Sequence, residues 1–389
     1  MTAATPVRWS IVEYRGREAL DSLEGDWRRL TAAMPQRTAF HAFEAHAAYF
    51  DHLATDPGRS RILALTDGRT TRAICPLESR VDRTLGVPLR VWGTPYGPHW
   101  PFSDPVCPED EARRALVPAL ADHLRRRTGG ACLLVLGPLP EESVLWDGLP
   151  SAASHCSTIA ASPYVFDCER SFDELTGRLS RHFRKNLRNC GNRLRSLADV
   201  RFETTAGGTG GSPLLEAFLD VEASGWKGER GTRSAIRLHE RLLAFYGDLA
   251  RGFEGGDGCE VNALFAEGRC IAAEYCMRTG VTYACLKIGF DEDYARLSPG
   301  HLLHARTLER CCSDPGIKRY DQLSDADWLG VWHPDRVSLR RAYVPLGRWT
   351  GPPLVALLRV RFGSGRRAAR WVRARSATLR GIATGHRRG

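Results

Sequence analysis

The stretch TYACLKIGFDEDYARLSPGHLLHARTLERCC, residues 282–312, has the strongest structural pattern in this chain. Its first nine residues, Thr282–Phe290, predict a buried strand, and Pro299–Cys312 predicts a helix with an apolar face. The turn between them is polar and short. A strand that leads through such a turn into a helix is typical of α/β proteins, in which ligands bind beside the turn.

Three residues at the start of this helix predict an anion site. Ser298 is placed to cap the helix, and Pro299 suits the first helical position. Gly300 allows another group to approach the backbone closely. Free N–H groups at a helix N-terminus bind anions such as a pyrophosphate, although a well-capped helix that binds nothing has the same pattern.

Outward from this stretch, both halves of the chain repeat one order of predicted elements: strand, helices, hairpin strands, helix, strand. In the first half these elements are Arg8–Tyr14, Glu18–Met34, Phe40–Leu53, Arg61–Thr66, Thr71–Leu77, Leu89–Trp92, Glu109–Arg127 and Ala131–Leu136. In the second half they are Tyr164–Cys168, Ser171–Leu197, Val200–Thr204, Pro213–Trp226, Ile236–Arg251, Glu260–Ala266, Cys270–Met277, Thr282–Phe290, Pro299–Cys312, Arg319–Leu323 and Val337–Val344.

The repeat predicts an α/β (α+β) fold of two similar domains, each with a mixed, mostly antiparallel sheet flanked by helices. We predict a first domain over 1–155, a second over 156–350 and an Arg-rich tail over 351–389. The glycine-rich segment AGGTGGSP, residues 206–213, lacks the Gly-Lys-Ser/Thr end of a phosphate loop and is interpreted as a linker.

Composition excludes several classes of protein. The 389 residues are 43% hydrophobic, which fits an ordinary globular chain, and no apolar run is long enough to span a membrane. The first residues hold no apolar signal segment, so we predict a cytoplasmic location. The twelve cysteines form no CxxC pair, so neither a disulfide framework nor a zinc knuckle is indicated.

The net charge of +10 belongs to the tail. Residues 351–389 hold ten Arg and no acidic residue, and the remainder of the chain is balanced at 45 basic and 45 acidic residues. The charge is therefore no argument for nucleic-acid binding by the body of the protein. The tail is either a solvated end or a peripheral anchor on an anionic inner membrane surface.

A predicted helix over Ser171–Leu197, divided at Gly191, carries basic residues without acidic neighbours on the same face. An anionic ligand, either a cofactor phosphate or the end of a tRNA, explains this pattern, and a solvated helix face is the simpler explanation. We predict that its substrate-binding residues are Arg184, Lys185 and Arg188.

Other chemical motifs are few. Trp226 and Lys227 end a predicted helix before a glycine-rich loop, where they are either substrate contacts or a core anchor and a solvated helix end. The sequence contains no HExxH and no GxSxG. His301 and His304 share a helix face without a third ligand, so no metal site is predicted.

Four blocks of the second half resemble a known family in their order and spacing: SRHFRKNLRNCGNRLRSL (180–197), EASGWKGERGT (222–232), LKIGFDEDYARLSPGHLL (286–303) and RYDQL (319–323). They are similar to the GNAT-superfamily acyltransferases of the cellulose-biosynthesis CelD-like group, which are related to Fem-type aminoacyl transferases. The resemblance covers about residues 162–330 and implies tandem GNAT-like domains, with the acyl-donor site in the second.

The resemblance also implies roles for individual residues. The pyrophosphate of acyl-CoA, the implied co-substrate, would bind at Arg296, Leu297, Ser298, Pro299, Gly300 and His301. Backbone N–H groups at Ile288 and Gly289 would stabilise the oxyanion. Glu274 and Asp321 are the candidate bases, Lys287 would orient a carboxylate or phosphate, and Trp328 stands nearest to a tyrosine of the family pattern.

These residues predict an enzyme, a GNAT-type N-acyltransferase. It would transfer an acyl group, in particular acetyl, from acyl-CoA to a primary amine of a sugar, an envelope precursor or a small metabolite. A Fem-type transferase that uses aminoacyl-tRNA is the first alternative. A non-catalytic GNAT scaffold in envelope polysaccharide assembly is the second, because SDADWLG (324–330) lacks the family's Tyr and Lys.

Overall fold

A computed structural model describes residues 7–34, 36–54, 56–101, 103–127, 130–149, 154–205, 212–253 and 257–363. Residues 364–389, which include most of the predicted Arg-rich tail, lie outside the described residues, and so does most of the predicted linker, 206–211.

Strands and helices alternate along the described chain. The strands are β1 (Ser10–Tyr14), β2 (Ser60–Thr66), β3 (Thr71–Asp82), β4 (Leu89–Gly93), β5 (Leu133–Pro140), β6 (Cys156–Ala161), β7 (Tyr164–Asp167), β8 (Val200–Thr204), β9 (Gly258–Ala266), β10 (Arg269–Thr279), β11 (Thr282–Phe290), β12 (Arg319–Asp321), β13 (Asp335–Arg336) and β14 (Leu339–Pro345). The helices are α1 (Arg17–Ser22), α2 (Glu24–Ala32), α3 (Phe43–Ala48), α4 (Asp110–Arg127), α5 (Phe172–Gly177), α6 (Arg181–Leu197), α7 (Pro213–Ser224), α8 (Glu240–Arg251), α9 (Pro299–Ser313) and α10 (351–363).

The strands form two mixed sheets of seven strands each among the described residues. The first has the order β1-β2-β3-β4-β5-β14-β6, and the second has the order β13-β7-β12-β11-β10-β9-β8. Each sheet contains four consecutive antiparallel strands, β1–β4 or β8–β11, whose last member pairs in parallel with the strand after a helix, β5 or β12. The predicted fold class, with its repeated order of elements, is confirmed.

A shared core joins the two halves. Side chains of α2 and α3, such as Trp27 and Phe43, belong to the same buried cluster as Phe218 of α7 and Tyr275 of β10. Helix α3 also contacts α8 directly. Burial of large aromatic side chains stabilises a fold by about 25 cal/mol per Å2 of apolar surface, so this contact holds the halves together as one body.

The strands do not follow the predicted division at residue 155. Strand β6 and strand β14, both placed in the second domain by the sequence, belong to the first sheet, where β14 lies between β5 and β6. Helix α10 packs on this sheet through Val355 and Leu358, so residues 351–363 of the predicted tail are folded. The apolar pattern of β14 identifies a strand but not its partner, which is set by long-range contacts.

The predicted helix over Ser171–Leu197 is divided at a different point. The chain breaks between α5 and α6, where Ser180 caps α6 by accepting a hydrogen bond from the Phe183 N–H. Gly191 lies inside α6, where a Cβ would come within 3.4 Å of Leu302 in α9. The glycine therefore permits close helix packing rather than ending a helix.

No helix in the described part of the chain is long and apolar enough to cross a lipid bilayer. All twelve cysteines are free, and nine of them are buried.

Candidate functional site

The second sheet opens into a fork between β11 and β12. The two strands pair in parallel only where Thr282–Ala284 lies beside Arg319–Asp321. Beyond Ala284, β11 continues to Phe290 with β10 on one side only. Its pairing with β10 shifts register between Tyr275 and Cys276, which is a β-bulge. Bulges bend a strand away from its neighbour, so the bulge and the early end of β12 together produce the fork.

The backbone N–H and C=O groups of successive residues along β11 point alternately toward β10 and away from it, and those of Ile288 point into the fork. The Asp291 N–H donates to the Ile271 carbonyl across the sheet, and in antiparallel pairing every second residue forms such bonds. Gly289 and Lys287 therefore bond to β10, and the N–H and C=O of Ile288 face the opening. The Ile288 carbonyl accepts a hydrogen bond from Lys227 Nζ at 2.8 Å, as this orientation requires.

The N-terminus of α9 faces the same opening with free N–H groups. Ser298 occupies the N-cap position in the left-handed conformation, at φ 51°, and its side chain makes no capping hydrogen bond. The predicted cap is therefore absent, and the N–H groups of Gly300 and His301 have no acceptor among the described residues. A left-handed serine is a strained conformation of the kind that collects at ligand sites.

These elements enclose a cleft of about 450 Å3, here called the α9 cleft. Its walls combine the end of β11, the start of α9, the end of α7 and the loop after β12. Its lining residues are Glu222, Gly225, Trp226, Lys227, Ile288, Gly289, Phe290, Ala295, Ser298, Pro299, Gly300, His301, Ala326 and Trp328.

Glu222 and Lys227 form a charged pair in the wall of the α9 cleft. Glu222 is 3% exposed, and its Oε1 lies 3.2 Å from Lys227 Nζ. Its Oε2 accepts the Ile236 N–H at 2.9 Å. The backbone of Glu222 is so close to β11 that a Cβ on Gly289 would lie 2.5 Å from the Glu222 Cα. Gly289 thus brings this carboxylate beside the peptide group of Ile288.

His301 is held as a neutral acceptor on the opposite wall. The Trp332 indole N–H donates to His301 Nδ1 at 3.0 Å, and the ring also contacts Phe183 and Trp328. Burial lowers the pKa of His301 below its ordinary value of 6.5. Both observations place the remaining proton on Nε2 at neutral pH.

The structure brings together half of the predicted site residues. The α9 cleft contains Trp226, Lys227, Ile288, Gly289, Ser298, Pro299, Gly300, His301 and Trp328. Arg296 is exposed and Leu297 packs in a core cluster, so their side chains lie outside the lining. Sequence reasoning missed Glu222. The signal was present, because Leu215, Phe218, Leu219 and Glu222 share one helix face, and a carboxylate in an apolar stripe is unusual.

Neither predicted base lines the α9 cleft. Asp321 stands at the fork, but Arg319 donates to its Oδ2 at 2.9 Å and the Leu323 N–H donates to its Oδ1 at 2.9 Å. Burial raises the pKa of Asp321 despite the Arg319 charge. Glu274 lies in the core beneath α9, where it accepts hydrogen bonds from Asn262 Nδ2 at 3.1 Å and the Tyr320 hydroxyl at 2.9 Å.

The buried Glu274 carboxyl gives a stability prediction. Complete burial raises its pKa above the ordinary 4.5. At pH values between 4.5 and the raised pKa of the folded state, the folded protein keeps a proton that the unfolded chain has lost. The wild-type free energy of unfolding therefore falls as pH rises in this range, by about 1.4 kcal/mol per pH unit. We expect Glu274→Gln to gain stability relative to wild type as the pH rises from 5 to 8, because the amide has no proton to lose.

Urea denaturation of both proteins at pH 5 and pH 8 measures this difference. Glu274→Gln also tests the predicted role of Glu274 as a base. Unchanged turnover with a relative stability that rises from pH 5 to pH 8 identifies a structural carboxyl. A large loss of turnover without a stability gain contradicts this assignment.

Arg184 and Arg188 lie at a different surface. They line a groove of about 740 Å3 between α5, α6 and α9, together with Arg195, Arg306 and Arg310. Lys185 is exposed on α6 and belongs to neither opening. Within the described residues, Arg184, Lys185 and Arg188 form no ion pair. The prediction that these three side chains bind substrate is therefore not supported at the α9 cleft.

The sequence of the second half decides the class of this site. Residues 181–328 match the acetyltransferase (GNAT) domain family. The matched segment begins with α6 and ends at Trp328, so it contains the whole α9 cleft. This match supports transferase as the enzyme class of the chain. No curated protein sequence matches the chain at a significant level.

Solved structures share the architecture of the whole chain at low identity. FemX is 11% identical with a TM-score of 0.54, over 83% of this chain and 96% of FemX. The C-terminal domain of a putative lysylphosphatidylglycerol synthetase from Agrobacterium fabrum is 14% identical with a TM-score of 0.54, over 89% of this chain and 97% of that domain. The L-PGS structure from Bacillus licheniformis is 12% identical with a TM-score of 0.50, over 87% and 96%. These likenesses show that the chain shares its fold with these structures.

Proposed function

We propose that the chain is an N-acyltransferase that transfers an acyl group from acyl-CoA to a primary amine. The observation that carries this proposal is the α9 cleft, where an uncapped helix N-terminus and the free Ile288 N–H converge at a fork between two strands. The first group suits a pyrophosphate, and the second suits the oxyanion of an acyl-transfer reaction. The match of residues 181–328 to GNAT acetyltransferases supports the same chemistry.

The residues of the α9 cleft fit the parts of an acyl-CoA donor. The free N–H groups of Gly300 and His301 suit its pyrophosphate. A Cβ on Gly300 would meet only Phe290, at 3.9 Å, so there is room for a ligand against the backbone. Phe290, Ala295 and Trp328 supply apolar surface for an uncharged chain.

The chain's own groups cover the remaining requirements of direct transfer. The amine nitrogen forms a bond to the thioester carbonyl carbon, the C–S bond breaks, and the thiolate leaves. The Ile288 N–H stabilises the oxyanion, and Glu222 accepts the proton that the attacking amine must lose. Lys227 holds Glu222 and the Ile288 carbonyl in place through its two contacts.

Replacing Gly300 by Asp tests the proposal, because it should stabilise the protein and weaken the binding of CoA. The new carboxylate stands in the first turn of α9, where a negative charge stabilises a helix by about 0.3–1 kcal/mol. The same charge repels a pyrophosphate and should raise the Kd for CoA about 10–100-fold. Isothermal titration with CoA and thermal melting measure the two effects.

Gly300→Asn is the matched control, because it has the same size without the charge. We expect its CoA affinity to stay within a few-fold of wild type. Absence of CoA binding by the wild-type protein at millimolar concentration contradicts the donor assignment. Equal weakening by Asn and Asp assigns the effect to steric obstruction and contradicts the anion site.

A second candidate function is Fem-type transfer from aminoacyl-tRNA. Two observations favour it: the basic side chains Arg184, Lys185 and Arg188 of α6, which form no ion pair within the described residues, and the shared fold with FemX. Charge reversal of Arg184 and Arg188 would then abolish activity in the presence of aminoacyl-tRNA, and RNase treatment would have the same effect. Activity with acyl-CoA that resists RNase favours the first proposal.

A further inference from the structure

A loop of the first half reaches the second half beside the α9 cleft. The carbonyl of Pro98 accepts a hydrogen bond from Lys287 Nζ at 3.2 Å. The next residue, His99, shares a hydrogen bond of 3.0 Å between its Nδ1 and the Tyr246 hydroxyl of α8. This aromatic and proline-rich segment has no part in the proposed acyl transfer.

This loop is held in one conformation. Gly97 and Trp100 exchange two backbone hydrogen bonds of 3.0 Å, which closes a tight turn around Pro98 and His99. Trp100 is 1% exposed and packs against Phe40 and Tyr49. The turn is therefore a fixed wall that the first half presents to Lys287.

Two ammonium groups stand at this wall with one carboxylate. Lys227 contacts Glu222, whereas Lys287 has the Pro98 carbonyl as its acceptor among the described residues. An ammonium group carries three N–H donors, so Lys287 retains two. The charges of Lys227, Lys287 and Glu222 add up to about +1 when both lysines are protonated.

Burial and neighbouring charges lower the pKa of two groups at this wall. Burial and the neighbouring Lys227 charge together lower the pKa of Lys287 to about 8, against the raising effects of Glu222 and Cys285. Burial also lowers the pKa of His99 to about 4, with further contributions from Lys287, His239 and Lys227. At neutral pH His99 is therefore uncharged, whereas Lys287 keeps most of its positive charge.

We propose that Lys287, with Lys227 and the 97–100 turn, forms a subsite for a carboxylate or phosphate on the amine acceptor. The acceptor is then an amine that carries an anionic group, and the first half of the chain contributes to its recognition. This inference rests on the proposed acyl transfer. It adds the chemical class of the acceptor and a function for the loop.

The position of the subsite suits an acceptor rather than the donor. Side chains alternate along a strand, so Lys287 and Ile288 project from opposite faces of β11. Ile288 packs with Leu303 and Leu297 toward α9, on the face where the donor's pyrophosphate would bind. Lys287 faces the first half. Lys227 connects the two sides, because it donates to the Ile288 carbonyl.

The scarcity of lysine makes a direct experiment possible. The chain contains only four lysines: Lys185, Lys227, Lys287 and Lys318. Reductive methylation with 13C-formaldehyde gives each of them a resonance that can be followed by NMR as pH changes. Lys287→Met identifies the Lys287 signal, and Lys318, which pairs with Glu169 at the surface, is the internal control.

We expect the Lys287 signal to titrate near pH 8 and its pKa to rise by about one unit in the presence of inorganic phosphate or acetate, because a bound anion favours the charged ammonium. Phosphate and acetate are separate arms that distinguish the two anion classes. Lys318 should not respond. If neither anion changes the Lys287 titration, the subsite is refuted, whether or not CoA binds.

A second experiment measures acyl transfer to two pairs of amines. Each pair has a neutral and an anionic member: ethanolamine and phosphoethanolamine, and methylamine and glycine. Lys287→Met should raise the KM for the anionic member of a pair about 10–100-fold more than for the neutral member, and Lys287→Arg should restore part of the difference. Equal effects on both members overturn the proposal. The absence of any transfer while phosphate still shifts the Lys287 signal contradicts the proposed function and retains the anion site.

Discussion

Replacing Glu222 by Gln should lower kcat about 100- to 10,000-fold, the range that removal of a general base produces. Glu222 is the carboxylate in the wall of the α9 cleft, and Gly289 holds it beside the Ile288 peptide group. Gln has nearly the same shape. Its carbonyl oxygen can still accept the Ile236 N–H, but it cannot take a proton from the attacking amine.

The expected loss falls on turnover rather than on donor binding. CoA affinity should change little, because the free N–H groups of α9 lie on the other wall. Steady-state kinetics with saturating donor, together with isothermal titration of CoA, separate the two quantities. A pH profile that loses its acidic limb in Glu222→Gln would support the role as a base.

Glu216→Gln is the matched control for this substitution. Glu216 lies on the same helix, is exposed, and pairs with Arg237 at 2.7 Å. An exposed pair of this kind contributes little to stability, so this variant should behave as wild type. If Glu222→Gln retains turnover within a few-fold of Glu216→Gln, Glu222 is not the base.

Gly289→Ala should damage both stability and activity. The added Cβ would lie 2.5 Å from the Cα and 2.9 Å from the N of Glu222, closer than carbon atoms approach without displacement. Because the obstacle is helix backbone, α7 must move, and overpacking of this kind costs about 1–3 kcal/mol. A displacement of about 1 Å at a reacting group can reduce kcat/KM by about 100-fold.

Chemical denaturation and kcat/KM measure the two effects of Gly289→Ala. Gly25→Ala is the control, because Gly25 lies within helix α2 with no heavy atom within 4 Å of the added Cβ. That substitution should stabilise the protein by up to about 1 kcal/mol. A Gly289→Ala protein with wild-type stability and kcat/KM would show that the approach of α7 to β11 is not required.

The part of the site that was predictable from sequence is the part encoded locally. Strand β11 has the predicted bounds, and Ile288, Gly289 and Ser298–His301 lie within one continuous strand–turn–helix segment. Hydrophobic periodicity and helix-start signals act over about ten residues, so they suffice there. Trp226 and Lys227 were predicted from their position at the end of a helix before a glycine-rich loop, which is also a local signal.

The remaining features depend on contacts distant in sequence. Asp321 follows a familiar pattern, but its bonds to Arg319 and the Leu323 N–H keep it outside the cleft lining. Arg184 belongs to a basic helix face of the kind that binds anions, but it lines the groove between α5, α6 and α9 and not the α9 cleft. The contact between Lys287 and Pro98 joins residues 189 positions apart, and no local pattern reports such a pair.

The path of β14 has a consequence for how the protein is made. Residues 339–345 form the strand between β5 and β6, so the first sheet lacks this strand until the segment that carries the second sheet has been synthesised. While the ribosome translates the second half, the edge of β5 stays open to wrong partners, a hazard for nascent chains. The first sheet is thus completed only after the strands of the second sheet have been translated, and its protection during synthesis depends on how quickly the second half follows.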